Sequence, residues 1–345
     1  MNIFVTGIAG LLGGALAAEL LAAGHTVFGL VRHNQDIRAL DSSLLPASDF
    51  NGKLPQAGTI SLLQGDVSQP NLGLSADTVT FLSQNIDCMI HCAALVQFEA
   101  DEDDLARVNV DGARHAAALL PAARFIHVST AYTCGSLSGP IGEEPHHAER
   151  AFANAYEKTK AAGELVVMAQ RSDAIIARPS IVVGAYEDGL ISSFDTIYRM
   201  LKFMAEGRID RLDVAADATL NFVPIDHVTA ALAELAQLRK AGPHFVHLAA
   251  QKAIGTRRFL ALIGAIDDLS APSICAPQPG QSAKQSLARQ LTRPYAPYFT
   301  RAPDFATDNL LRLTGMRPAQ MDEKAILRQL SFCVKAGYIR PRAGR

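Results

Sequence analysis

Between a short β-prone apolar run, Asn2 to Thr6, and an Ala/Leu-rich stretch, Gly10 to Ala23, the chain places Thr6-Gly7-Ile8-Ala9-Gly10-Leu11-Leu12-Gly13. A β-branched run from Thr26 to Val31 follows, so the opening reads as strand, glycine turn, helix, strand. In such a unit the first glycine permits the tight turn, and the second lets backbone approach a pyrophosphate. The third allows the helix to lie close on the strand. The helix N-terminus then faces the anion. A glycine triplet alone marks only a bend; a strand before it and a helix after it make it an expected nucleotide site.

Short apolar runs recur at Thr59 to Gln64, Asp87 to Cys92, Arg124 to Ser129 and Ala174 to Arg178, and the intervals hold candidate helices at Val108 to Leu119 and Phe152 to Arg171. Near-continuous apolar strands alternating with helices predict an α/β fold, a doubly wound parallel sheet of Rossmann type covered on both faces. Residues 33–58 mix Pro, Gly, Ser and Asp without period and predict a helix fragment plus surface loop. After Gly184 the alternation stops. Residues 185–217 predict a mostly helical excursion, Leu220 to Pro224 and Phe245 to Ala249 return as short strands, and helices separated by prolines at 272, 277 and 279 follow from about 251.

The expected division is a nucleotide-binding domain over 1–184, completed by about 218–250, and a smaller, mostly helical substrate lobe from 185–217 and 251–345. That lobe is expected over the carboxyl edge of the sheet, where open α/β sheets bind ligands. With 345 residues, 49% of them hydrophobic and 19% charged, the chain has ample material for both cores.

Lys and Arg number 32 against 34 Asp and Glu, a formal net charge of −2, which supplies no broad footprint for nucleic acid. The five cysteines are scattered, without CxxC or Cys/His ligand spacing, so neither a disulfide framework nor a zinc site is expected; free thiols fit a cytoplasmic location. The apolar N-terminus has no Lys or Arg before Arg32 and is interrupted by glycines, Glu19 and His25, unlike a signal peptide. No uninterrupted apolar run reaches about 18 residues, so no membrane span is expected. Asp101 to Asp104 reads as a solvated helix start. His146-His147 lies in a polar loop with no partner at ligand spacing, so no metal is expected. Tyr186, Phe194 and Tyr198 either line an acyl pocket or pack as lobe core.

Arg32 closes the second strand in Gly29-Leu30-Val31-Arg32-His33, where an NAD-preferring site usually has a carboxylate for the ribose 2′-hydroxyl. A 2′-phosphate, hence NADPH, is the expected ligand, with Arg32 offering a planar fork and Arg38 a second candidate. A solvated surface arginine is the plainer alternative. Asp66, beside Val67, is placed to accept from an adenine amino group or to cap a turn. Cys92, Ala93 and Ala94 form a small-residue wall suited to a nearby cofactor, and equally an ordinary strand end.

In Tyr156-Glu157-Lys158-Thr159-Lys160, Tyr156 and Lys160 share one helix face. An ammonium near the phenol favours its ionised form and makes Tyr156 a candidate proton donor, although the same spacing also fits a surface pair. Position argues for chemistry: the preceding strand ends in Ser129-Thr130, whose hydroxyls are expected at the same sheet edge. A hydroxyl and a tyrosine beside a nicotinamide can bind a carbonyl oxygen and stabilise the oxyanion formed by hydride addition.

Taken together, TGxxGxxG at Thr6 to Gly13, HVSTAY at His127 to Tyr132, YxxxK at Tyr156 to Lys160 and Arg178-Pro179-Ser180-Ile181-Val182-Val183-Gly184 resemble the extended short-chain dehydrogenase/reductase superfamily over residues 1 to about 250. The segments Gly65 to Ser75, His91 to Phe98 and Asn221 to Asp226 are similar to its thioester-reductase-like branch, which includes fatty acyl-CoA reductases and terminal reductase domains of peptide synthetases. The resemblance implies an NADPH site, Tyr156 and Lys160 catalytic, and Thr130 at the catalytic hydroxyl position with Ser129 beside it. It further implies that Lys160 holds the nicotinamide ribose, and that the backbone after Pro179, at Ser180 and Ile181, meets the carboxamide. It places Asn109 in a polar cluster near the cofactor, a position that a helix cap or a buried structural amide explains equally well.

The implied activity is NADPH-dependent reduction of an acyl thioester, presented by CoA or a carrier protein, or of a derived aldehyde or ketone. A sugar-nucleotide epimerase or dehydratase and a hydroxysteroid-type alcohol dehydrogenase share the same Tyr, Lys and hydroxyl. A nucleotide-sensing protein that has lost its chemistry typically lacks the Tyr/Lys pair. Nothing in the sequence sets an oligomeric state.

Overall fold

A computed structural model describes residues 1–146, 150–238, 242, 244–267, 269–275 and 292–340. Its centre is a parallel sheet built from β1 (Asn2–Thr6), β2 (Thr26–Val31), β3 (Ala47–Asp49), β4 (Ile60–Gln64), β5 (Cys88–His91), β6 (Arg124–Val128), β8 (Ile175–Pro179) and β13 (His244–Leu248). The order across the sheet is β13-β8-β6-β5-β1-β2-β4-β3. From β1 the chain winds first to β2 and β4 on one side, then to β5, β6, β8 and β13 on the other. The reversal between β1 and β5 opens the crevice that doubly wound sheets use for ligands.

Both faces of every strand but the exposed edge strand β3 are buried, which explains their continuous apolar character. One face packs with Leu16 and Leu20 of α1 (Leu11–Ala22) and Val228, Leu232 and Leu235 of α7 (Ile225–Ala236). The other packs with Leu82 of α2 (Ala76–Asn85), Ala113 and Ala116 of α4 (Gly112–Leu119), and Val167 of α5 (Ala155–Gln170). A further cluster joins Tyr132, Ile141 and Val183 to Met200 and Met204 of α6 (Ile197–Ala205), Phe259 and Leu260 of α8 (Thr256–Ile263), Phe299, and Leu330 of the last described helix, Glu323–Lys335.

Several local expectations are corrected. Residues 33–58 contain no helix: Arg38 bridges to Leu44, and Ala47–Asp49 is an edge strand beside β4. The strap is held by packing, for a Cβ at Gly14 of α1 would fall 2.2 Å from the Arg38 carbonyl oxygen. The 185–217 stretch holds one helix, α6, and a short strand, β10 (Arg211–Asp213), separated by turns. The single strand expected at Leu220–Pro224 divides at Asn221 into β11 (Thr219–Leu220) and β12 (Phe222–Pro224), because the Asn221 side chain bonds Ser180 and the Ala250 backbone. Short strands the apolar pattern did not show also pair: β7 (Gly139–Ile141) with β16 (Pro303–Phe305), and β11 with β14 (Ile254–Gly255).

Leu310 and Ala319, within the stretch assigned to the smaller lobe, pack with the sheet core. Pro277, Pro279 and His147 lie outside the described residues. Among the described residues, no helix is long and apolar enough to cross a membrane.

Candidate active site

The glycine turn has the geometry its residues require. Gly7 sits at φ +69°, and a Cβ there would fall 2.7 Å from the Ala93 backbone, so the turn lies directly on the chain leaving β5. At Gly13 a Cβ would meet the Gly7 carbonyl oxygen at 2.2 Å, so the helix packs on the turn only without a side chain. Gly10 differs: its Cβ would meet only the Gly7 oxygen, at 3.2 Å. As N-cap of α1 it supplies no side-chain cap, and no acidic residue occupies the first turn at Leu11 and Leu12. An open, uncapped helix N-terminus fits a bound phosphate.

Thr6 supports this turn from within: its Oγ1 is 2.7 Å from Nδ1 of His91 and accepts from the Ala93 N–H. At the ends of β2 and β4, Arg32 is 64% exposed and its Nη1 lies 3.9 Å from the Asp66 carboxylate. Asp66 also accepts from the Ser68 N–H, the turn geometry its alternative reading foresaw. Burial opposes ionisation of Asp66, but the Ser68 bonds and then Arg32 hold its carboxyl below the ordinary range. Arg38 is committed locally, donating to the Ser42 carbonyl and to Asp36. Val67 is buried against Gly112. Cys92 is half-buried, and burial pushes its thiol up to about 12, which leaves no reactive thiolate near neutral pH.

Asn109 lies in a single π turn, Arg107–Asp111, between α3 (Glu102–Ala106) and α4, where an uninterrupted helix was expected from Val108. Its Oδ1 accepts from the Leu95 N–H, and its Nδ2 donates to the Leu95 carbonyl and to Thr159 Oγ1. The amide thereby ties the loop after β5, with Ala93 and Ala94, to α5.

α5 begins at Asn154, whose side chain accepts from the Glu157 N–H. Lys160, one turn after Tyr156, is 1% exposed and donates to the Val128 carbonyl at 2.8 Å. Val128 is the last residue of β6; Ser129 and Thr130 follow it. Ser129 Oγ is buried without a partner among the described residues. Thr130 caps the 3-10 turn Ala131–Cys134, its Oγ1 accepting from the Tyr132 N–H and donating to the Pro179 carbonyl at 3.4 Å. One strand end thus gathers both hydroxyls and the anchor of Lys160.

The electrostatics depart from the simple pairing of Tyr156 with Lys160. Burial, reinforced by Glu157, pushes the Tyr156 phenol above its ordinary value. Burial also pulls the Lys160 ammonium down to about 8, against Glu164 and Cys92. The Lys160 ammonium, anchored on a backbone carbonyl, does not offset that rise in the phenol. Beyond Pro179, the Ser180 and Ile181 N–H groups are committed to the Leu248 and Asn221 carbonyls.

Two buried ionic groups escaped the sequence reading. Arg178 is fully buried in β8, forked onto Glu164 at 2.6 and 2.9 Å and bonded to the Glu144 carbonyl. His146, within its loop, joins them through Thr133 and is a buried neutral histidine; burial lowers it to about 3. The second group is Glu157 with Arg301. The charge that ends the apolar run Ala174 to Arg178 was a signal for the first; no local signal marked the second. Phe194 and Tyr198 are packed, Phe194 stacking on Tyr338 at 4.2 Å and Tyr198 hydroxyl accepting from the Gly184 N–H. Beside them a cavity of about 20 Å3 admits roughly one water. Among the described residues no cluster of three or more His, Cys, Asp or Glu is grouped to hold a metal ion.

The Male sterility protein family model matches residues 5–232. The chain is 28% identical over 242 residues to the NRPS-like oxidoreductase fscA of Fusarium equiseti, covering 65% of this chain and 22% of that protein. It is 26% identical over 270 residues to Fatty acyl-CoA reductase 1 of Xenopus laevis, covering 66% of this chain and 52% of that one. The chain therefore spans between about a fifth and a half of these relatives. The terminal R domain of the myxalamid PKS-NRPS biosynthetic pathway superposes with a TM-score of 0.79 at 22% identity, over 99% of this chain and 92% of that one, which establishes likeness of fold.

Proposed function

The chain belongs to the Male sterility protein family, and from that premise we propose that it is an NADPH-dependent reductase of acyl thioesters, working through Thr130, Tyr156 and Lys160. The observation that carries the reading is the buried Lys160 ammonium held on the last carbonyl of β6, one helical turn from Tyr156 and two residues before Thr130 on the strand side. The two relatives named as oxidoreductase and fatty acyl-CoA reductase support the reaction class. The glycine turn would hold the pyrophosphate, Arg32 the 2′-phosphate, and Lys160 the nicotinamide ribose, beside the Asp66, Cys92 and Ala93 wall. An exposed guanidinium and no carboxylate within Gly29 to His33 favour NADPH over NADH.

Bound NADPH supplies the hydride that reaches the substrate carbonyl carbon. Thr130 Oγ1 and the Tyr156 hydroxyl hold the carbonyl oxygen and stabilise the charge that develops on it. Tyr156, kept protonated by burial, gives its proton to that oxygen, and Lys160 holds the local positive charge as the proton leaves. One hydride and one proton added to a thioester give a hemithioacetal, which splits into aldehyde and thiol. Half-buried Phe98, which meets the Tyr156 ring, and Tyr295, which packs on Phe98, limit water around the reacting carbonyl. CoA or a carrier protein would present the acyl group. A division into a nucleotide-binding part and a smaller substrate lobe follows from the same reading.

The test is loss of reduced-nicotinamide absorbance by purified protein with acyl-CoA thioesters, aldehydes and ketones, using NADPH and NADH in parallel. Thioester turnover preferring NADPH is expected, with Tyr156→Phe lowering kcat by about 100-fold. Arg32→Ala should raise KM for NADPH by about tenfold and leave NADH unaffected. Turnover of aldehydes or ketones alone would overturn the thioester reading, and a full rate in Tyr156→Phe the mechanism.

A further inference from the structure

Arg301 lies after the 3-10 turn Ala296–Phe299 in the C-terminal stretch, yet its guanidinium is 4% exposed and reaches both segments that carry the site hydroxyls. One arm meets the start of α5: Nη2 bonds Glu157 Oε1 at 2.5 Å and Nη1 bonds Oε2 at 3.3 Å. Glu157 is itself fully buried, directly follows Tyr156, and accepts from the Ala153 N–H at 3.1 Å. With Asn154 accepting from the Glu157 N–H, the two side chains bind backbone on both sides of the helix start and fix its entry. The other contact meets the turn capped by Thr130: Nη1 donates to the Gly135 carbonyl at 2.5 Å. That carbonyl belongs to the residue closing the turn, held at φ +66° where a Cβ would meet the Ala151 oxygen at 2.5 Å.

Aromatic rings complete the enclosure. The guanidinium lies 4.7 Å from the Tyr132 ring centre and 4.5 Å from that of Tyr298. Tyr298 stacks on Phe98 at 6.1 Å and 7°, and Phe98 meets the Tyr156 ring at 5.6 Å. Two paths therefore run from the C-terminal stretch to Tyr156, one ionic through Glu157 and one aromatic through Phe98, and Arg301 anchors both. A planar fork that bonds a carboxylate with two nitrogens while lying between two rings is a task lysine cannot perform.

We propose that Arg301 is a positioning residue that sets the Tyr156 hydroxyl against Thr130 by tying the first turn of α5 and the turn after β6 to the C-terminal lobe. The effect on rate rests on the function proposed above; the tether does not. Arg301 touches neither hydroxyl, so its influence passes through Glu157 and Gly135. A buried ion pair contributes little net stability but is costly when halved, so its value here lies in geometry. Small displacements of reacting groups lower kcat and leave binding of the distant adenosine part of the cofactor intact.

The experiment compares Arg301→Met, Arg301→Lys and the double variant Glu157→Gln/Arg301→Met with the parent, reading kcat, KM, direct NADPH affinity and hydrogen exchange over 130–136 and 153–160. The double variant leaves no orphaned charge, so it stays folded where Arg301→Met does not. It should lose about 100-fold in kcat with NADPH affinity unchanged, while exchange accelerates in both segments and nowhere else in the sheet. Arg301→Lys, keeping charge without the fork, should fall between. A folded double variant with parental exchange in both segments overturns the proposal, and so does accelerated exchange with parental kcat. A parent that turns over no thioester, while the double variant loosens both segments, overturns the function and leaves the tether standing.

Discussion

Lys160 is an ammonium 1% exposed inside the fold, and among the described residues its one hydrogen bond goes to the Val128 carbonyl. Burial brings it down to about 8 from an ordinary 10.5, so folding costs free energy wherever the side chain is charged in both states. Below pH 8 native and unfolded chains both carry the proton and the cost is complete, at about 3 kcal/mol. Between pH 8 and 10.5 the unfolded chain alone holds it, so this residue makes stability rise with pH across that window and adds nothing further above it. Lys160→Met should therefore lose turnover and flatten the rise. Urea unfolding of parent and variant at pH 7 and pH 10 measures the difference; equal pH dependence in the two would show that Lys160 is not the group responsible. Such a stability cost at one buried lysine is understandable when a site needs a fixed positive charge beside its proton donor.

At the scale of elements, α5 matters because it carries Tyr156, Glu157 and Lys160 together, and its placement depends on a glycine. A Cβ at Gly163 would fall 2.5 Å from the Asn109 carbonyl oxygen, on the π turn that crosses it. Alanine in a helix interior ordinarily stabilises by about 0.5–1 kcal/mol relative to glycine. Here backbone must move instead, so Gly163→Ala should destabilise by about 2 kcal/mol and lower kcat together with it. A variant more stable than the parent would show that α5 has room to shift.

The sequence showed the central strands, α1 and the Tyr156 to Lys160 face because each rests on a local rule: continuous apolar runs, a glycine turn, four-residue spacing. It did not show the π turn, since Asn109 is selected by Leu95 and Thr159, which lie far from it in the chain. The edge strand Ala47–Asp49 is exposed and carries no apolar run, so it was read as loop. Nothing local in the sequence marks Glu157 as buried. Its partner is 144 residues away, and only the folded chain brings Arg301 to it.

Across the whole molecule, the C-terminal stretch is threaded through more than one core. Phe299, Ile326 and Leu330 pack with Tyr132 and Met204, whereas Leu310 and Ala319 pack with the sheet through α7 and β13. Glu143 spans the same boundary, accepting from the His247 N–H of β13 at 2.8 Å and from the Asn309 N–H at 2.7 Å. If substrate lobe and nucleotide-binding part are functional divisions of one packed body, they should not melt separately. The chain has no tryptophan, so one introduced indole reports on one place. Phe203→Trp reports from the lobe cluster and Phe50→Trp from the sheet cluster, both at partly buried aromatic positions that accept the larger ring with modest disturbance. Thermal unfolding followed at each indole should give coincident midpoints once each variant is referred to its own far-ultraviolet transition. A lobe signal that is lost before the helical signal would mean that the contacts of Leu310, Ala319 and Glu143 are too weak to couple the two parts, and that the lobe opens on its own.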